Sequence, residues 1–161
     1  MAVFEKRTWV DATPEQLFHF HEQPDAFALL TPPWEPVRVV GRQGEGLAAG
    51  VIVELEMRFG PLRQRWVAEH VSCDPPHGFV DVARSGPFRS WRHEHRFEAA
   101  PQGGAFLVDH VTYELPFGSL GRLADRWVRR RLGRMFHFRH DATAQALANE
   151  KTPPGARPSG A

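Results

Sequence analysis

Over the first ten residues apolar and polar positions alternate loosely: Val3 to Val10 (VFEKRTWV) is rich in β-formers and predicts a first strand. The period then changes. Thr13-Pro14-Glu15-Gln16 joins a capping threonine, a proline suited to the first helical position and a glutamine able to close a capping box, so a helix starts there. Leu17, Phe18, Phe20 and His21 fall near one face of it before Pro24 intervenes. A second short helix, Asp25 to Leu30, stops at Thr31-Pro32-Pro33, because a residue preceding proline is pushed out of helical backbone.

From Pro36 to Leu115 the pattern is that of strands. Val37 to Arg42 is followed by a glycine-rich turn from Gly44 to Gly50. Val51, Val53, Leu55, Met57 and Phe59 alternate with Glu54, Glu56 and Arg58, a half-buried strand that Gly60-Pro61 turns. Leu62 to Ser72, Phe79 to Ala83, Phe88 to Glu98 and Ala105 to Leu115 follow, separated by Asp74-Pro75-Pro76-His77-Gly78, Ser85-Gly86-Pro87 and Pro101-Gln102-Gly103-Gly104. Connections this short predict an antiparallel meander and not βαβ units. A long helix from about Ser119 to Asn149 closes the pattern. Leu120, Leu123, Ala124, Trp127, Val128, Leu132, Met135, Phe136, Ala142 and Ala146 recur at helical spacing, and Gly133 marks a weak point. The expected architecture is α+β, one domain over residues 1–150, with 151–161 a disordered tail. A bent sheet presents an apolar concave face, and only the long helix is large enough to cover it, so a cavity is expected between them.

Composition narrows the function classes. With 20 Lys+Arg against 19 Asp+Glu, the chain gives no global argument for nucleic acid or membrane as partner. No apolar run approaches a membrane span, and Met1 to Val10 carries Glu5, Lys6 and Arg7 where a signal peptide would be apolar. Cys73 stands alone, which excludes an internal disulfide and a multi-cysteine zinc site, and suits a reducing cytoplasm. Twelve Phe and five Trp imply a large apolar interior, and nine His need an explanation.

The order of elements resembles the START-like (SRPBCC) superfamily, whose helix-grip fold is β-α-α-β6-α: a curved seven-stranded antiparallel sheet wrapped around a long C-terminal helix. Local motifs are similar to its bacterial cyclase/dehydrase-like, ligand-binding branch: Leu30-Thr31-Pro32-Pro33-Trp34, Phe79-Val80-Asp81 with Gly86-Pro87-Phe88, and Trp91-Arg92-His93-Glu94-His95-Arg96-Phe97. Asp109-His110-Val111-Thr112-Tyr113-Glu114-Leu115-Pro116 and Phe136-His137-Phe138-Arg139 extend the likeness to most of the chain, about Val3 to Asn149. The resemblance implies binding or carriage of a small hydrophobic molecule, a lipid, polyketide or aromatic, or else polyketide cyclase/dehydrase chemistry. It implies neither a cofactor nor a metal.

The sharpest constellation lies on the sheet. Trp91, His93, His95 and Phe97 share one strand face, and Leu107, Asp109, Val111, Tyr113 and Leu115 share the facing one. Matching inward faces across Pro101 to Gly104 sets Asp109 beside His95 and Tyr113 beside Trp91, with Phe79, Asp81 and Ala83 on the same surface. Three readings are open: the aspartates satisfy the histidines structurally; one or two polar groups orient a ligand; or His93, His95, Asp109 and Tyr113 carry acid–base chemistry, a histidine oriented by an aspartate and Tyr113 polarising a carbonyl, as expected of an aldol-type cyclase. A His-x-His pair with Asp109 or Asp81 could also make a two-histidine, one-carboxylate metal set, but the signal is weak and no metal is assigned. Ligand-lining candidates are Leu55, Met57, Phe59, Trp66, Asp81, Trp91, His93, Tyr113, Trp127 and Phe136. Arg122, Arg126, Arg129, Arg130, Arg131, Arg134 and Arg139 form a basic helix face, read as solvated or as an interaction surface. Trp34 either gates the cavity or plugs the end of the fold.

Overall fold

The structure, a computed structural model, describes residues 1–35, 37–59, 62–116 and 118–151, without the side chains of residues 59, 62 and 119–122. Lys151, the first residue of the expected tail, is still helical; the rest of that tail, 152–161, and the lining call on the side chain of Phe59 lie outside the described residues. The order of elements is β1 (Ala2–Val10), α1 (Pro14–Glu22), α2 (Ala26–Leu29), β2 (Val37–Gln43), β3 (Ile52–Phe59), β4 (Leu62–Asp74), β5 (Gly78–Ser85), β6 (Ser90–Ala99), β7 (Ala105–Glu114) and α3 (Gly118–Lys151). All seven strands form one antiparallel sheet in the order β1-β7-β6-β5-β4-β3-β2. The meander runs from β2 to β7, and β1 returns to pair with β7, leaving β1 and β2 as the two edges.

Local chemistry explains the boundaries. Thr13 Oγ1 accepts from the Gln16 amide while the Gln16 side chain accepts from the Thr13 amide, the reciprocal capping box that starts α1. Leu17, Phe18 and Phe20 then turn into the core with Val10, Phe79, Phe97, Leu107 and Leu147. The β4–β5 turn returns the chain through Gly78, whose φ is +147°; a Cβ there would stand 1.9 Å from the His95 carbonyl oxygen. Only glycine lets β5 begin so close to β6, and the register that follows sets Phe79 opposite His95 and Asp81 opposite His93.

α3 runs unbroken through Gly133 and packs mainly over β1 and α1. Val128, Leu132 and Phe136 enter a second core cluster with Trp91, Val111 and Tyr113. Phe136 stacks on Phe4 of β1 with ring centroids 5.3 Å apart, so the centre of the grip is filled by aromatic packing. The apolar stripe is narrower than its sequence spacing suggests. Leu123 and Trp127 fit the helical period but stand 82% and 61% exposed, because they fall on the flank of α3 beyond its contact with the sheet.

Candidate functional site

The inner face of β5, β6 and β7 carries five polar side chains among apolar ones. Register places them: Asp81 opposite His93, and His95 opposite Asp109, with Trp91 opposite Tyr113. The pairing expected from matched inward faces is therefore the pairing observed. His93 Nε2 donates to Asp109 Oδ1 at 2.7 Å, and His95 Nδ1 lies 2.9 Å from the same oxygen, off the line of a hydrogen bond. On their other sides, His93 Nδ1 and His95 Nε2 each lie 3.4 Å from a single oxygen, Asp81 Oδ2. Asp109 and His93 are both 4% exposed.

The helix completes the cluster. His140 of α3, fully buried, donates from Nε2 to Asp109 Oδ2 at 2.7 Å, and its Nδ1 lies 2.7 Å from Thr8 Oγ1 of β1. Arg139 also turns inward, its Nε buried without a hydrogen-bond partner, so it leaves the solvated arginine face to which its spacing assigned it. Neither His140 nor Thr8 was singled out from the sequence. The available signal was position: His140 lies four residues after Phe136 and three before Thr143, inside the buried stripe that ends at Leu147.

Electrostatics follow from this geometry. Burial works against charge on His93, but Asp109 and Asp81 outweigh it and hold the imidazole up at about 9. Burial would likewise raise both carboxyls. The His93 and His95 imidazoles hold Asp81 far below the carboxylate range, and His95, His140 and His93 do the same for Asp109. His21, packed 6.0 Å from the His95 ring, is pushed down to about 4 by burial. Burial lowers the Arg139 guanidinium too, against the opposing pull of Asp109, Asp81 and Glu35. Negative and positive charge are thus buried together.

The remaining expected residues separate into groups. Trp91 packs edge-on to Trp66 at 5.1 Å and joins Tyr113 in the core, while the Tyr113 hydroxyl donates to Asp125 Oδ1 at 2.7 Å and so faces α3 and not the histidines. Burial and the Asp125 bond raise that phenol above its ordinary value. Phe136 touches both regions, its ring edge-on to His93 at 5.1 Å. Met57 is buried, whereas Leu55 and Trp66, paired across β3 and β4, are half-buried. Trp127 stands apart in solvent. Trp34 neither gates nor plugs the sheet–helix space: it lies 46% exposed against Phe138 and Arg134, walling a shallow outer depression. A larger depression of about 750 Å³ opens beside α1 and the β4–β5 turn, and Leu55, Trp66 and Trp127 line neither. Much of the arginine face is engaged locally: Arg129 pairs with Asp125 and donates to the Val3 carbonyl, and Arg131 reaches Glu35. Burial, with Glu22 and Asp74 nearby, raises the Cys73 thiol, which works against a nucleophile.

A seven-stranded sheet gripping one long C-terminal helix, with a furnished inner wall, defines the START-like, helix-grip class of proteins. The chain belongs to the family described as "Polyketide cyclase / dehydrase and lipid transport", whose profile matches residues 10–137. Among solved structures it is similar to TTHA0849 of Thermus thermophilus, at 16% identity and a TM-score of 0.72, covering 94% of this chain and 100% of that one. It is also similar to the Zhui aromatase/cyclase of a Streptomyces species, at 14% identity and a TM-score of 0.73, covering 96% and 98%. A nucleoside-diphosphate sugar epimerase of Corynebacterium glutamicum matches at 25% identity and a TM-score of 0.65, over 90% of this chain but 29% of that one. No curated protein sequence matches the chain. No helix among the described residues is long and apolar enough to cross a membrane.

Proposed function

We propose that this protein binds a small hydrophobic or aromatic molecule between the inner face of β3 and β4 and the N-terminal half of α3. One observation carries the reading: apolar side chains on β3, β4 and the N-terminal half of α3 lack full cover. Leu55 and Trp66 are half-buried on the sheet, and Leu123 and Trp127 are exposed on the helix. Side chains on α3 turn about 100° per residue, so Trp127 points away from the flank where Asp125 and Arg129 meet β7 and β1. Trp127 and Arg131 share the opposite flank, where Arg131 holds Glu35 just before β2. An apolar ligand there would remove two tryptophan surfaces from water, the usual furnishing of a small-molecule pocket. A cytoplasmic setting agrees with the lone, unpaired Cys73.

Native mass spectrometry of freshly purified protein, set against its denatured mass, tests the proposal. An extra organic mass that disappears in Trp66→Ala and Trp127→Ala is the expected result. No adduct, together with no binding of an apolar fluorescent probe, overturns it.

A second reading, cyclase/dehydrase-type catalysis, has its own support in the buried Nδ1 of His95, which lacks a hydrogen-bond partner although Asp109 is adjacent. Such a nitrogen could serve as a general base. On this reading turnover of a polyketide-like substrate collapses in His95→Gln, whereas carriage of an apolar molecule survives it.

A further inference from the structure

We propose that Asp81, His93 and His95 form a binding site for one divalent cation of the zinc class. Each of the three offers one ligand atom, and these atoms lie within 4.8 Å of one another. The 3.4 Å separations of His93 Nδ1 and His95 Nε2 from Asp81 Oδ2 are long for a hydrogen bond, whose usual length is about 2.9 Å. Two donors each ~2.0–2.1 Å from a tetrahedral ion stand about 3.3 Å apart, which matches the observed spacing. The two rings lie side by side, centroids 3.8 Å apart, so both nitrogens converge on the same oxygen and do not compete for separate ones.

The surroundings fit this role independently. A histidine ligand presents its second nitrogen to a carboxylate, which fixes the ring and raises its basicity. Here the second nitrogen of His93 donates to Asp109 Oδ1 at 2.7 Å, that of His95 lies 2.9 Å from the same oxygen but off the line of a hydrogen bond, and Asp109 is itself anchored by His140. Phe79 stacks on His95 at 4.0 Å and Phe136 closes on His93, giving the dry wall that sharpens a metal site. His70, opposite Asp81 in the ladder and 8% exposed, buries an Nδ1 with no hydrogen-bond partner on the neighbouring strand. Asp81 and His95 keep 15% and 11% side-chain exposure, a route by which an ion can arrive. Three protein donors leave a fourth tetrahedral position for water or a ligand oxygen.

The test uses full-length, tag-free protein stripped with chelator and titrated with CoCl2, then with ZnCl2 in competition. The expected result is one ion per chain, with the strong visible absorption of tetrahedral Co2+, bleached by zinc. Asp81→Asn and His95→Gln each weaken binding by at least ~100-fold, and Asp109→Asn by ~10–100-fold, the range outer partners carry. His137→Ala leaves it unchanged; His137 and Asp141 are an exposed pair 3.5 Å apart where an ion could bind adventitiously. Absence of saturable binding overturns the site, as does binding that survives Asp81→Asn or is abolished by His137→Ala. Should His95→Gln fail to fold, the nearly isosteric Asp81→Asn decides alone. The result is independent of any apolar ligand, which is read as organic mass and not as a metal ion.

Discussion

The two halves of α3 meet the sheet on different terms. The C-terminal half sends Phe136, His140, Thr143 and Leu147 into the core, and His140 is bonded to β7 and placed beside Thr8 of β1. The N-terminal half buries Val128 and Leu132 against β6 and β7 but places Leu123 and Trp127 in solvent, with Asp125, Arg129 and Arg131 tying it to β7, β1 and the segment before β2. One half is closed by a buried charge network and the other is held by polar straps around uncovered apolar surface. The contrast separates two roles that hydrophobicity alone conflates. Side chains packed into the closed half set stability, and those beside the open half are available to a ligand.

The sharpest way to break the contrast is Asp109→Ala. It removes the acceptor of both His93 and His140 and leaves buried positive charge uncompensated, so we expect a loss of ~3–5 kcal/mol in urea unfolding at pH 7. A loss under about 1 kcal/mol would show that the network is ornamental. Next comes pH. His93 is raised in the folded state from 6.5 to about 9, so its contribution is complete below pH 6.5 and is lost as pH rises through 9. Unfolding curves should report a decline of the order of 3 kcal/mol over that window, flattened in His93→Gln. The lowered carboxyls act in the opposite direction, stabilising above about pH 4 and giving way as pH falls below it. Tyr113→Phe, which deletes only the bond to Asp125, should cost ~1 kcal/mol by the same assay. Smallest for stability is Trp127→Ala, within ~0.5 kcal/mol because the ring is mostly in water. Its effect belongs to binding, where a probe titration should show roughly tenfold weaker affinity, about 1.4 kcal/mol.

What could be read beforehand follows the same division. Strand alternation with period two, and a turn of fixed length at Pro101 to Gly104, leave one register that keeps both inward faces apolar, which is why Trp91–Tyr113 and His95–Asp109 were legible as pairs. The capping box of α1 was legible for a similar reason, since its two hydrogen bonds are local. His140 and Thr8 escaped because their meeting joins residues 132 apart through a helix whose rotation the sequence does not fix. The place of Trp127 in the buried stripe was misjudged from the other direction. Helical spacing tells which residues align along a face, but not how wide a stripe the sheet covers, and the sheet stops short of that flank.

The Thr8–His140 contact also bears on how the chain is made. β1 is synthesised first, yet its pairing strand is β7, and the histidine that meets Thr8 comes later still. At roughly 5–20 residues per second the ~100 residues from β1 to the end of β7 take about 5–20 s to emerge. Through that interval β1 is an unpaired strand with Phe4, Trp9 and Val10 exposed to whatever else is nearby. The β4–β7 hairpins can form from neighbouring sequence, whereas closure of the sheet must first overcome the entropy of a loop that spans more than half of the protein. The nascent chain is therefore most at risk of misassociation at its first strand, and the last turns of α3 end that exposure by locking β1 in place.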